Sequence, residues 1–195
     1  MAIDMRLLAL LSLLFVPTFA VASSERYISL EISQTDADWD GFSIVSGGEL
    51  DDSSDGFAIT YGHYLDDNLA LELSYVDGGS FTLNQSTGDT FLLDGVEYVW
   101  LEDVFLDIES SAMSASLKYD FVDEANYEIY GRFGFFDGDL DYSGALNGSD
   151  GLSGNVMGVG LFYHLEGDAS LKVEYSKMSD DDELTSLSFG LVYGF

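Results

Sequence analysis

Apolar side chains recur at every second position in eight stretches of this chain, and no other feature constrains the fold as much. A period of two sends successive side chains to opposite faces, so each stretch reads as a strand with two unlike faces. The stretches are RYISLEISQ, with Ile28, Leu30 and Ile32 on one face; GFAITYGHY, with Phe57, Ile59 and Tyr61; LALELSYVD, with Leu69, Leu71, Leu73 and Tyr75; and SSAMSASLKYDF, with Met113, Ala115, Leu117 and Tyr119. YEIYGRFGFF, NVMGVGLFYHL, SLKVEYSKM and LTSLSFGLVYGF continue the pattern to Phe195.

The opposite faces carry Ser, Gly, Ala, Thr and a few charges. A water-soluble barrel fills its interior with apolar bulk and wets its exterior. Here the bulk would pack a narrow interior poorly, whereas the small polar face fits one. Apolar-out and polar-in is the pattern of a membrane barrel. Beyond the N-terminal region no apolar run is long enough for a membrane-crossing helix, and a closed barrel is the other backbone that satisfies its own hydrogen bonds in lipid. The connections LDDN, VDEAN and EGDA are tight. Those after the first, third and fifth segments are long, and SDDDE after the seventh is shorter. This alternation predicts periplasmic turns and extracellular loops. The expected fold is all-β, an eight-stranded antiparallel up-and-down transmembrane barrel.

Asp+Glu number 36 against 6 Lys+Arg, a formal net charge of −30. That balance excludes nucleic acid, which is bound by basic side chains meeting phosphates. Without cysteine there is neither a disulfide frame nor a thiolate metal site. At the N-terminus, Arg6, the apolar run LLALLSLLFV, Pro17 and the small-x-small triplet Ala20-Val21-Ala22 have the layout of an export signal. A signal peptide over residues 1–22 and a barrel domain over 23–195 are expected.

GHYLDDNLALELSYVDGG and GVGLFYHLEGDASLKVEYSKM resemble the strand-turn-strand units of the small OmpA/OmpX-type outer-membrane barrels. The ending, with Ser188, Gly190, Tyr193 and Phe195, resembles the outer-membrane assembly signal. The resemblance implies insertion by the barrel-assembly machinery into the outer membrane of a Gram-negative bacterium. It implies no single activity, because this scaffold hosts adhesins, small pores, structural proteins and a few enzymes.

Strand parity turns Glu31, Glu72, Lys118, Glu128, Arg132, Lys172 and Glu174 inward. Buried charges need partners. Similar heights pair Glu72 with Lys118, with Glu128 the next acid along, and Arg132 is within reach of Glu174 or Glu31. The cluster resembles the interior ion pairs of the OmpA barrel, which implies a gated ion path; a solid polar core that holds the barrel shut is the alternative. Lys177 faces outward near the extracellular end, where it meets a lipopolysaccharide phosphate or snorkels to the headgroups.

Between Arg26 and Lys118 there is no Lys or Arg. Asp36, Asp38, Asp40 and Gly41 match the start of an EF-hand calcium loop, but Gly47 stands where the closing acid belongs. The acids read either as a divalent-cation loop or as a solvated surface. The second long loop, TFLLDGVEYVWLEDVFLDI, is rich in apolar residues around an Asp94-Gly95 hairpin turn. It is expected to prolong the flanking strands as a protruding hairpin, and residues 90–107 are a candidate surface for a partner. Catalysis finds little support. The two histidines, His63 and His164, lie near predicted turns, and neither has a serine at the spacing used by lipid A deacylase barrels. The expected role is therefore non-enzymatic and structural or surface-directed, in a monomer without cofactor or defined metal site. A small cation-preferring pore and a lipid-modifying enzyme are the alternatives.

Overall fold

The computed structural model describes residues 26–39, 41–165, 167–179 and 183–195. The expected export signal, residues 1–22, lies outside them. Among the described residues twelve strands form: β1 (Arg26–Asp38), β2 (Phe42–Ser46), β3 (Glu49–Asp51), β4 (Ser53–Tyr64), β5 (Leu69–Gln85), β6 (Thr90–Leu93), β7 (Val96–Val99), β8 (Val104–Glu124), β9 (Tyr127–Gly144), β10 (Gly148–His164), β11 (Ala169–Ser179) and β12 (Glu183–Gly194). Strands β1, β4, β5, β8, β9, β10, β11 and β12 pair in a ring that closes through β5–β8. Every ladder in the ring is antiparallel. This is the expected eight-stranded barrel.

The terminal strand closes the ring against β1. Ile28 stands opposite Tyr193, Leu30 opposite Leu191 and Ile32 opposite Phe189. Leu30, Ile32, Phe189, Leu191 and Tyr193 are all at least half exposed. Such an apolar outer wall is stable where lipid covers it.

The outer face turns polar at one level all the way round. Going toward the long-loop end, the outward series ends at Gln34 on β1, Asp55 on β4, Asp77 on β5, Ser111 on β8 and Asp137 on β9. Asn155, Lys177 and Thr185 complete the ring on β10, β11 and β12. Above this level the alternation continues with its faces exchanged. On β9, Asp137 and Asp141 point out while Phe136 and Leu140 are buried inside. With Phe81, Ile108, Leu152, Val156 and Met178 they form an apolar core. Below the level, the interior is mainly Ser, Thr, Tyr and charge, with Ala70, Phe162 and Val192 at the short-turn end. On β5 the exchange is made by a bulge between Asp77 and Gly79, which shifts the inward set to Phe81, Leu83 and Gln85. The acid-rich stretch DGDLD, residues 137–141, is thus part of a strand. Its acids face water because the barrel wall continues beyond the membrane.

The second long loop also differs from expectation. Residues 90–99 do not extend β5 and β8. They form a separate hairpin, β6–β7, and β2 from the first loop pairs with β6 to make a three-stranded sheet. The predicted turn is present: Asp94 has φ +51° and Gly95 φ +77°, as a two-residue type I′ turn requires.

Candidate functional site

The lumen carries two connected polar layers. In the middle layer, Arg132 reaches Glu174 at 2.7 Å, and Lys172 bridges Glu31 at 2.9 Å and Glu174 at 3.1 Å. Hydroxyls add to this pairing. Ser29 and Ser188 donate to Glu31 at 2.7 and 2.8 Å, and Tyr130 donates to Glu174 at 2.7 Å. All four charged residues are more than nine-tenths buried. Burial of charge is tolerable only with this degree of pairing. A cavity of about 20 Å³ adjoins the layer, between Ser33, Thr60, Arg132 and Ser176. It has room for about one water.

The second layer lies at the short-turn end around Lys118. The ammonium meets Asp120 at 2.8 Å and Glu128 at 3.1 Å, and donates to the Tyr64 hydroxyl at 2.5 Å. Four rings surround it. Its Nζ lies 4.6 Å from the centroids of Tyr64 and Phe162, 5.1 Å from Tyr130 and 5.7 Å from Tyr27. Each contact adds cation–π attraction, which grows when the cation is desolvated. Gly62 and Gly160 make room for this cage. A Cβ on Gly62 would collide with the Tyr27 ring, and one on Gly160 with Tyr130.

The expected pair Glu72–Lys118 does not form. Leu69 stands opposite Tyr119, so Lys118 faces Ala70 and Glu72 faces Ser116. The register displaces the two by one inward step, and Lys118 turns toward the short-turn end. Glu72 instead accepts from Tyr27 at 2.5 Å and from Ser116 at 3.4 Å. Asp120, Tyr27, Tyr64, Tyr130 and Phe162 join the site without having been singled out from sequence. Their signal was parity, since each shares the inward set of its strand.

His164 joins the lower layer, with Nε2 3.2 Å from Glu128 and Nδ1 2.9 Å from Ser170 Oγ. A serine, a histidine and a carboxylate in that order resemble an acyl-transfer site. Here Ser170 is buried in the wall, and Glu128 already serves Lys118 and Tyr64. The arrangement works as a brace between β9, β10 and β11. His63 faces outward at the same end, opposite Arg26.

Asp36 and Asp38 stand on the exposed outer face of β1. An extended strand holds such neighbours about 7 Å apart, unlike a loop that curls around an ion, and Asp40 lies outside the described residues. Among the described residues no group of three or more His, Asp or Glu is placed to hold a metal ion. Lys177 is paired with Glu183 at 2.5 Å.

The loop sheet is the second candidate site. Phe91 packs on Trp100 at 4.7 Å, Tyr98 at 5.4 Å and Phe42 at 5.6 Å. Its base is held by carboxylates. Asp89 accepts from the Ser86 and Gly48 amides at 2.6 and 2.9 Å. Asp103 accepts from the Thr87 amide at 2.8 Å and hydroxyl at 3.0 Å, and these two bonds, the amide's first, hold its carboxyl below the usual range. Asp94, Glu97 and Glu102 are exposed on the hairpin and the stretch that follows it.

The family model of the outer membrane protein beta-barrel domain matches residues 7–195. Among solved structures the chain is similar to Ail, the attachment invasion locus protein of Yersinia pestis, in complex with the heparin analogue sucrose octasulfate. The identity is 17% and the TM-score 0.56, over 89% of this chain and 99% of that one. It is also similar to the outer membrane protein OprG from Pseudomonas aeruginosa, at 14% identity and TM-score 0.57, over 89% of this chain and 96% of that one. The N-terminal β-barrel domain of OprF from the same organism gives 14% identity and TM-score 0.55, over 89% and 100%. Curated proteins give no match. At these identities the likeness is one of fold.

Proposed function

Since the chain belongs to the outer membrane protein beta-barrel family, and so resides in the outer membrane of a Gram-negative bacterium, we propose that it is a non-enzymatic surface protein whose acidic loop sheet contacts cationic partners. The observation that carries this reading is the joining of two loops into one sheet, with exposed Val96, Tyr98, Val99 and Leu101 set among carboxylates. Apolar surface held out in water marks a contact site. The charge sets the partner's sign. Ail is bound to a polyanion, whereas residues 27–117 here contain no Lys or Arg to meet sulfates. Like charges across an interface repel, so the fitting partner is basic. The test is retention of the protein, in detergent micelles at physiological ionic strength, on an immobilised lysine-rich peptide and on heparin. Retention on the peptide that falls on deleting residues 90–107 supports the role. Unchanged retention after the deletion, or preference for heparin, counts against it.

A second reading, a small cation-preferring pore, draws on the charges aligned along the lumen. The caged Lys118 and the water-sized cavities describe a closed state, so conduction requires the ion pairs to open. Planar-bilayer conductance of the parent beside Glu72→Gln and Lys118→Met tests it. Steps that change in the variants support a gate, and silence in all three counts against a pore.

A further inference from the structure

We infer that the loop sheet captures its partner by strand addition, taking an extended segment of alternating apolar and basic residues onto the free edge of β7. The inference rests on the surface role proposed above and names the partner's chemistry. Within the sheet β6 is central, and β2 and β7 are the edges. The two edges are unlike. The β2 ladder is broken between Ile44 and Ser46, where an irregularity leaves Val45 unpaired, and irregular edges resist pairing. β7 pairs with β6 in four consecutive steps from Leu93–Val96 to Thr90–Val99. All four of its residues are exposed.

The turn settles which backbone groups are free. In a two-residue hairpin the flanking pair, here Leu93 and Val96, exchanges the first hydrogen bonds, and hydrogen-bonded and open pairs then alternate. Val96 and Tyr98 therefore turn their amides and carbonyls toward β6. Glu97 and Val99 turn theirs outward. A strand laid along that edge finds two donors and two acceptors ready.

The side chains specify what that strand should carry. By register, Phe42, Ile44, Phe91, Leu93, Val96 and Tyr98 lie on one face of the sheet. An added strand continues this face with its own apolar residues beside Val96 and Tyr98, which are 54% and 46% exposed. On the other face its residues stand beside Glu97. Val99 shares that face; opposite charges across a ladder stabilise it and like charges do the reverse, so the position beside Glu97 is Lys or Arg. Asp94 and Glu102, at the two ends of β7, extend the same preference.

The experiment uses the refolded protein in detergent micelles and four fluorescent peptides: alternating valine and lysine, the same peptide N-methylated at alternate residues, alternating valine and glutamate, and a scrambled valine–lysine sequence. The valine–lysine peptide should bind at physiological ionic strength, and N-methylation should weaken it by about tenfold or more, since the charge is kept and the ladder lost. Val99→Pro removes an outward amide while leaving the β6 ladder intact, and should have the same effect. Glu97→Lys should shift preference toward the glutamate peptide. Heat-dependent gel migration confirms that each variant keeps its barrel. Equal affinity for plain and N-methylated peptides, or for plain and scrambled ones, would overturn strand addition and leave the cationic surface role standing. Binding of sucrose octasulfate with no binding of any lysine peptide would overturn both.

Discussion

Lys118 and Arg132 stand directly opposite each other on the β8–β9 ladder, yet their charged ends part. The guanidinium turns to Glu174 and the ammonium to Asp120 and Glu128. Like charges placed opposite on a ladder repel. Dividing the carboxylates between two layers relieves that repulsion, and Tyr130 stands between the layers. Its ring lies near both Lys118 and Lys172, and its hydroxyl holds Glu174. The middle layer thus balances two cations with two carboxylates, and in the lower layer the Lys118 ammonium neutralises part of the charge of Asp120 and Glu128.

Removing Lys118 should show what that neutralisation contributes. Lys118→Met leaves Asp120 and Glu128 without their cation inside the wall. Breaking a buried pair by deleting one partner costs about 3–5 kcal/mol, so the variant's urea midpoint in lipid or detergent should fall. Adding Asp120→Asn and Glu128→Gln should restore most of the loss. A single variant as stable as the parent would mean that water already solvates the site.

The ion pairs can be separated by double-mutant cycles. Glu31 and Lys172 are in contact at 2.9 Å and should couple by about 1 kcal/mol or more. Glu72 and Lys118 form no ion pair and meet only through Tyr27, so they should couple more weakly than Glu31 and Lys172. The opposite ranking in urea unfolding would restore the pairing expected from strand heights.

That contrast shows what was legible in the sequence. The strands and their lipid faces were readable because alternation of bulky with small side chains survives any error in strand ends. Arg132–Glu174 needed only parity and a narrow lumen. The partner of Lys118 needed register, and counting from an assumed end at Phe121 misplaced it, because β8 runs on to Glu124 through an irregularity after Asp120. The upper barrel was hidden for a different reason. Asp137, Asp139 and Asp141 keep the period of two, but on the face that had been apolar below. An acid-rich stretch looks like a loop unless Phe136 and Leu140 are read as its inward partners. The loop sheet depends on β2 meeting β6 across nearly fifty residues, and no local pattern encodes that meeting.

The exchange of faces predicts two kinds of core in one barrel. Phe81 is fully buried above the polar ring and meets Trp39 edge-on at 5.8 Å. Phe81→Ala should cost about 3–5 kcal/mol, as in a water-soluble core. The loss should appear as faster proteolysis and hydrogen exchange in residues 77–85 and 104–110, with the lipid-facing segments still protected. Uniform loosening of the whole barrel would show that the two parts unfold as one unit.

The base of the loop sheet should respond to acid through Asp103. Its carboxyl is held below the usual range by the Thr87 amide and hydroxyl, so the folded loop binds the charged form more favourably than the unfolded loop does. For a depressed carboxyl, the stabilisation is fully present above the unfolded value of about 3.9 and is lost as pH falls through the lower folded value. The Thr87 amide should therefore stay protected from hydrogen exchange down to near pH 4 (after correction for the intrinsic exchange rate) and lose protection below it. Asp103→Asn keeps a carbonyl acceptor but no charge, so it should weaken protection at neutral pH and remove this acid-dependent step. Because Asp103 is exposed, salt should shrink the charged contribution. A step that persists unchanged in Asp103→Asn would assign it to another acid, with Asp89 and its two amide contacts the next to substitute.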